Sequence, residues 1–196
     1  MIAINYQQNM VPFPKLFVRF FQRWIHRIIG PTYLPVLQGI LSEKEYENFA
    51  LSAEFRLTRG ANSGILFQVK EDPKYEFPYE TGPEFQVIDH ENWPDPLENW
   101  QICGANYAMY PPLKEPYKKL GEWNHILLVV NGNHIIQMLN GEIVVEYEKY
   151  SADWNERRNS GKWTAYPDYG KFDTGNIVLQ NHGTRVWYRS IKLKEF

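Results

Sequence analysis

The segment from Gly121 to Glu148, GEWNHILLVVNGNHIIQMLNGEIVVEYE, leaves little choice of secondary structure. Three short apolar runs (His125 to Val130, His134 to Leu139 and Ile143 to Tyr147) are separated by Gly132-Asn133 and Asn140-Gly141. Such pairs accept the positive φ values of two-residue hairpin turns, so the segment reads as an antiparallel meander. The tail, GNIVLQNHGTRVWYRSIKLKEF, adds strands near 176–182 and 185–194, joined at Gly183-Thr184. One polar cluster, Gln180, Asn181 and His182, interrupts its apolar pattern.

The period of two extends upstream. Phe49, Leu51, Ala53, Phe55 and Leu57 alternate with Ala50, Ser52, Glu54, Arg56 and Thr58. The first set faces a core and the second faces away from it. Ser63-Gly64 reads as a turn or bulge, after which Ile65, Phe67 and Val69 continue the core side. In Glu84 to Asp89, Phe85 and Val87 point inward while Glu84 and Gln86 point outward. Ala105 to Tyr110 reads as a short strand. Three long stretches, 70–83, 90–101 and 150–174, read as loops rich in aromatic residues. Loops of this length without structure of their own are usually functional. The expectation is an all-β fold, a two-sheet antiparallel jelly-roll sandwich.

Residues 1–35 read differently from 36–196. In 15–29, Leu16, Phe17, Phe20, Phe21, Trp24, Ile25, Ile28 and Ile29 recur at helical spacing beside Lys15, Arg19, Arg23 and Arg27. The expectation is an N-terminal extension with an amphipathic helix. That helix either docks on the sandwich or serves a membrane surface or self-association. Its apolar stretch is too broken by arginines for a convincing signal peptide, and no small-residue cleavage site follows. The charge points away from nucleic acid as a partner, since the net value is −2. Cys103 is the single cysteine, so neither an internal disulfide nor a Cys-rich zinc site is possible.

Six motifs carry a resemblance: NSGILFQV (62–69), GPEFQVID (82–89), GEWNH (121–125), the LNG turn (139–141), LQNHG (179–183) and VWYRSIKLKE (186–195). In order and spacing they resemble the bacterial 3-keto-disaccharide hydrolase family, over roughly residues 36–196. The resemblance implies a concanavalin A-like lectin/glucanase jelly roll. It also implies an oligosaccharide or glycoside substrate, cleaved at a 3-keto-disaccharide or 3-keto-glycoside. Members are usually exported. They usually open on a Leu-Phe-Asn-Gly-Lys type strand after a signal peptide, where this chain has its basic amphipathic segment.

A ketone at C3 of a sugar acidifies the C2 proton, so the C1 substituent can be eliminated and water added back. That needs a base, a group polarising the ketone and an acid for the leaving oxygen. His182 titrates near neutral pH and is the first candidate for base or acid. Glu84 or Asp89 is the second, and Arg56 is the candidate for stabilising an enolate oxygen. Glu54, Gln86, Gln180, Asn62, Tyr79 and Trp163 are the expected substrate-binding residues. Aromatic side chains in loops can stack on sugar faces or pin loops to the sandwich. No metal is assigned. A divalent cation such as calcium would suit Asp89, His90 and Glu91, but adjacent residues on a strand alternate sides. The alternative function is a non-catalytic carbohydrate-binding, lectin-like module, because one fold hosts both.

Overall fold

A computed structural model of the chain describes residues 39–196 and the strand pieces Val11–Pro12 and Arg19–Phe20. The strands are β1 (Val11–Pro12), β2 (Arg19–Phe20), β3 (Gly39–Leu41), β4 (Phe49–Leu57), β5 (Asn62–Val69) and β6 (Glu84–Ile88). They continue with β7 (Asn124–Asn131), β8 (His134–Leu139), β9 (Glu142–Glu148), β10 (Asn176–Gln180) and β11 (Val186–Glu195). One sheet has the order β1-β11-β4-β7-β8-β9 and the other β2-β3-β10-β5-β6. Every pairing between these strands is antiparallel. The fold is therefore the expected two-sheet jelly-roll sandwich.

The alternation of β4 sets the core. Phe49, Leu51, Ala53, Phe55 and Leu57 are all buried and pack with Ile65, Phe67, Phe85, Val87 and Ile177 of the facing sheet. Each large side chain so buried contributes about 1.5–3 kcal/mol. The meander matches expectation, with Gly132, Asn140 and Gly141 at φ of 58°, 51° and 88°.

Three readings are corrected. Ser63-Gly64 is neither a turn nor a bulge. It lies inside β5, and the chain turns at Gly60, where φ is 62°. Ala105 to Tyr110 forms only isolated bridges, Asn106 pairing with Phe85 and Tyr110. The 150–174 loop contains a helix, α1 (Ala152–Arg158), and a 3-10 turn over Gly161–Ala165. Ser151 caps α1 by accepting a hydrogen bond from the Trp154 amide, and Trp154 and Arg158 face inward. The expected helix over 15–29 falls outside the described residues, apart from Arg19–Phe20, which pair with β3.

Candidate active site

The cluster is built on the outer face of the five-stranded sheet. Because Phe85 and Val87 enter the core, Glu84 and Gln86 project from the opposite side of β6. Register places Glu84 beside Leu66 and Gln86 beside Gly64 on β5. One residue beyond the Leu179–Ile65 pair, Gln180 of β10 stands across from the same glycine. Gly64 is required there: a Cβ on it would lie 2.0 Å from Glu84 Oε1. The missing side chain lets the Glu84 carboxyl lie flat across β5. The glycine that looked like a turn is a close-approach site.

Loops roof this face. The 3-10 turn brings Lys162 over the sheet, its Nζ 4.2 Å from the Tyr79 ring centre and 4.7 Å from that of Tyr107. The loop is tied down where it leaves α1 and where it returns to β10. Trp163 donates its indole N–H to Ala108 O at 2.9 Å and stacks on Tyr169 at 3.6 Å. The buried Lys149 ammonium donates to Phe172 O at 2.8 Å and to Gln68 Oε1 at 3.1 Å.

Burial and charge set three protonation states in this cluster. Glu84 is only 5% exposed. Desolvation pushes its pKa up to about 8, against the pull of the Lys162 charge. Its carboxyl takes no hydrogen bond from the described residues. Lys162 is drawn below its ordinary value by desolvation, and the Glu84 charge opposes this. His182 follows the end of β10 on an exposed turn. Desolvation, and secondly the Lys162 charge, lower its pKa from 6.5. These shifts favour a neutral carboxyl on Glu84 and a neutral imidazole on His182 near pH 7, with the Lys162 charge acting on both. Around them, Gln86 Oε1, Gln180 Oε1 and Asn62 Oδ1 are buried with no hydrogen-bond donor among the described residues. Acceptors left so are costly and are normally satisfied by a ligand or ordered water.

The expected site residues divide. Glu84, Gln86, Gln180 and Asn62 share one sheet face, and His182 and Tyr79 join it through Lys162. Glu54 and Arg56 do not. They project from β4 on the outer face of the six-stranded sheet, with the hydrophobic core between them and Glu84. There Glu54 accepts two hydrogen bonds from Arg189, both at 3.1 Å, and Arg56 lies between the rings of Trp123 and Trp187 at 5.0 and 4.4 Å. Asp89 is fully buried at the end of β6, where its carboxylate accepts from the Gly60 amide at 2.8 Å and from Asn92 Nδ2 at 3.1 Å. It braces a turn. Trp163 is also fully buried, so it pins the loop and offers no face to a sugar. No three His, Cys, Asp or Glu side chains converge among the described residues. Lys162 was not anticipated. It sits in an irregular segment with no periodicity, and only its place beside two aromatic residues in a long loop could have flagged it.

The chain is thus a two-sheet jelly-roll protein whose titratable groups gather on the outer face of one sheet. More narrowly, residues 35–194 match the model of the 3-keto-alpha-glucoside-1,2-lyase-like domain, and the chain belongs to that family. A curated relative named 3-keto-disaccharide hydrolase, from Bacteroides thetaiotaomicron, is 29% identical over 171 residues, 76% of this chain and 59% of that protein. The chain thus spans about three-fifths of that relative's length. A crystal structure from Parabacteroides distasonis, described as a candidate glycosyl hydrolase, superposes with a TM-score of 0.78 at 40% identity. The match covers 81% of this chain and 76% of that one. Carbohydrate-binding module CBM66 from Bacillus subtilis shares the fold alone, with a TM-score of 0.51 and 12% identity over 80% of this chain and 81% of that one.

Proposed function

We propose that the chain cleaves 3-keto-disaccharides or 3-keto-glycosides by acid–base chemistry on the outer face of the five-stranded sheet. The observation that carries this reading is the buried Glu84, held protonated near neutral pH beside the Lys162 cation, with a neutral His182 close to that cation. These are the three roles the reaction needs. Neutral His182 removes the C2 proton as general base. The C–H electron pair moves towards C3, and Lys162 stabilises the oxyanion that develops on the ketone oxygen. Lys162 thus takes the place that the sequence suggested for Arg56. The electrons then form the C1–C2 double bond as the C1–O bond breaks, and Glu84 gives its proton to the departing oxygen. Water adds back across the double bond: Glu84, now a carboxylate, takes a water proton as hydroxide joins C1, and protonated His182 returns a proton to C2. Opposite environmental shifts on a base and an acid are a common way to make both available at one pH. Gln86 Oε1 and Gln180 Oε1 can accept sugar hydroxyls along the strand row.

The test is the pH profile of kcat/KM on 3-keto-trehalose. It is expected to rise through a limb below pH 6.5 as His182 loses its proton, and to fall through a limb near pH 8 as Glu84 loses its own. His182→Ala should lower turnover by about 10²–10⁴-fold and remove the acidic limb. Full turnover by that variant sinks the scheme. Binding of the keto sugar with no cleavage at any pH moves the chain to the binding-module reading.

A further inference from the structure

A second cavity adjoins the cluster. It lies between the 70–83 loop and the 166–168 turn, is half open to solvent with a volume of about 200 Å³, and is lined by Lys74, Tyr75, Glu80, Tyr166, Pro167 and Asp168. This is room for several waters at about 30 Å³ each, but less than the roughly 300 Å³ at which clefts for drug-sized ligands begin. It suits one sugar ring. Tyr166 connects it to the site: it lines the cavity, and its ring meets Tyr79 edge-on at 5.4 Å, the same Tyr79 that lies under Lys162.

The polar groups here are fixed in place. Tyr75 Oη donates to Asp168 Oδ2 at 2.7 Å, and Lys74 Nζ donates to the same oxygen at 3.2 Å. Glu80 Oε1 accepts from the amides of Glu76 and Phe77 at 2.6 and 2.7 Å. Each carboxylate is therefore oriented through one oxygen, and Asp168 Oδ1 and Glu80 Oε2 take no hydrogen bond from the described residues. The Tyr75 hydrogen bond, and then Lys74, keep Asp168 ionised. Two carboxylates against one ammonium repel an anion. Oriented acceptors beside a half-buried tyrosine and a proline suit a neutral ring that presents hydroxyls on its edge and C–H bonds on its face.

We propose that this cavity is a second sugar subsite, which holds the departing glycosyl ring of a disaccharide whose 3-keto ring lies against the Glu84 cluster. The proposal rests on the cleavage reading for the occupant of the neighbouring position. It makes the chain a disaccharide enzyme that uses the second ring for selectivity.

The experiment compares kcat/KM for 3-keto-trehalose and for methyl 3-keto-α-glucoside, in the wild type, Asp168→Asn and Asp168→Ala. The wild type is expected to prefer the disaccharide. Both variants should shrink that preference by about tenfold or more, the effect of losing a charge-assisted hydrogen bond to the second ring. A preference that does not move, whether both rates fall together or neither falls, overturns the subsite. If the wild type cleaves neither compound, the cleavage reading fails by itself, and titration of the isotope-labelled protein with trehalose decides the subsite. Amide shifts at Lys74, Tyr75, Tyr166 and Asp168 that weaken in Asp168→Asn support it. No shift at those amides overturns it.

Discussion

The two outer faces of the sandwich carry similar residue types in opposite states. On the six-stranded sheet, Glu54 meets Arg189 with side chains 26% and 50% exposed, and its pKa is lowered chiefly by the Arg189 hydrogen bonds. On the five-stranded sheet, Glu84 is buried, has no hydrogen-bond donor among the described residues, and is pushed to about 8. One glutamate is a satisfied surface group. The other is held in an environment that its charged form resists. Both stand at outward positions of alternating strands, so local pattern does not separate them. The difference comes from what covers each sheet: solvent, arginines and the rings of Trp123 and Trp187 over one, the aromatic loops and Lys162 over the other.

The largest effect that can break this contrast is on turnover. Lys162→Met should cost about 10²–10³-fold in kcat on 3-keto-trehalose, the range for removing one preorganised oxyanion donor. A variant within twofold of wild type would leave the loop as a mere cover. Next comes stability. A folded-state pKa above the unfolded 4.5 means that the folded chain keeps a proton which the unfolded chain releases. The fold therefore loses stability as pH rises from about 4.5 to about 8, by roughly 3 kcal/mol at pH 7. Glu84→Gln should remove that slope and unfold at higher denaturant concentration at pH 8, with little change at pH 4; an unchanged slope would show Glu84 to be ionised in the fold. Gly64→Ala should force the Glu84 carboxyl aside, at about 1–3 kcal/mol of overpacking cost, measured by denaturant unfolding. The same variant should shift the basic limb of the activity profile. On the six-stranded face, Glu54→Gln should change stability by no more than about 1 kcal/mol, as for exposed ion pairs, and turnover by less than twofold. A large loss of activity there would erase the distinction between the faces.

Most of the sandwich was legible because its signals are local. The period of two in Phe49 to Leu57 and the Asn-Gly turns specify strands and hairpins without reference to distant residues. The site was legible only within strands. Glu84 with Gln86, and Gln180 with His182, were grouped by their spacing. Which sheet each strand joins is decided by long-range pairing, and β4 lies between β11 and β7 while β6 lies beside β5. Glu54 and Arg56 were expected beside Glu84 because nothing local records that choice. Trp163 illustrates a related limit. A tryptophan in a long loop can face a ligand or anchor the loop, and here its indole N–H satisfies Ala108 O while its ring stacks on Tyr169. The signal most open to earlier recognition was Gly64, a glycine inside an otherwise apolar strand, which marks a close approach more often than a turn.

The anchoring of the Lys162 segment has a consequence for kinetics. With an ammonium sunk into the protein at one end and stacked rings in the middle, the roof over the cluster is built before any sugar arrives. On the cleavage reading proposed above, a sugar meets a cover already held in place, beside the half-open cavity that Tyr166 lines.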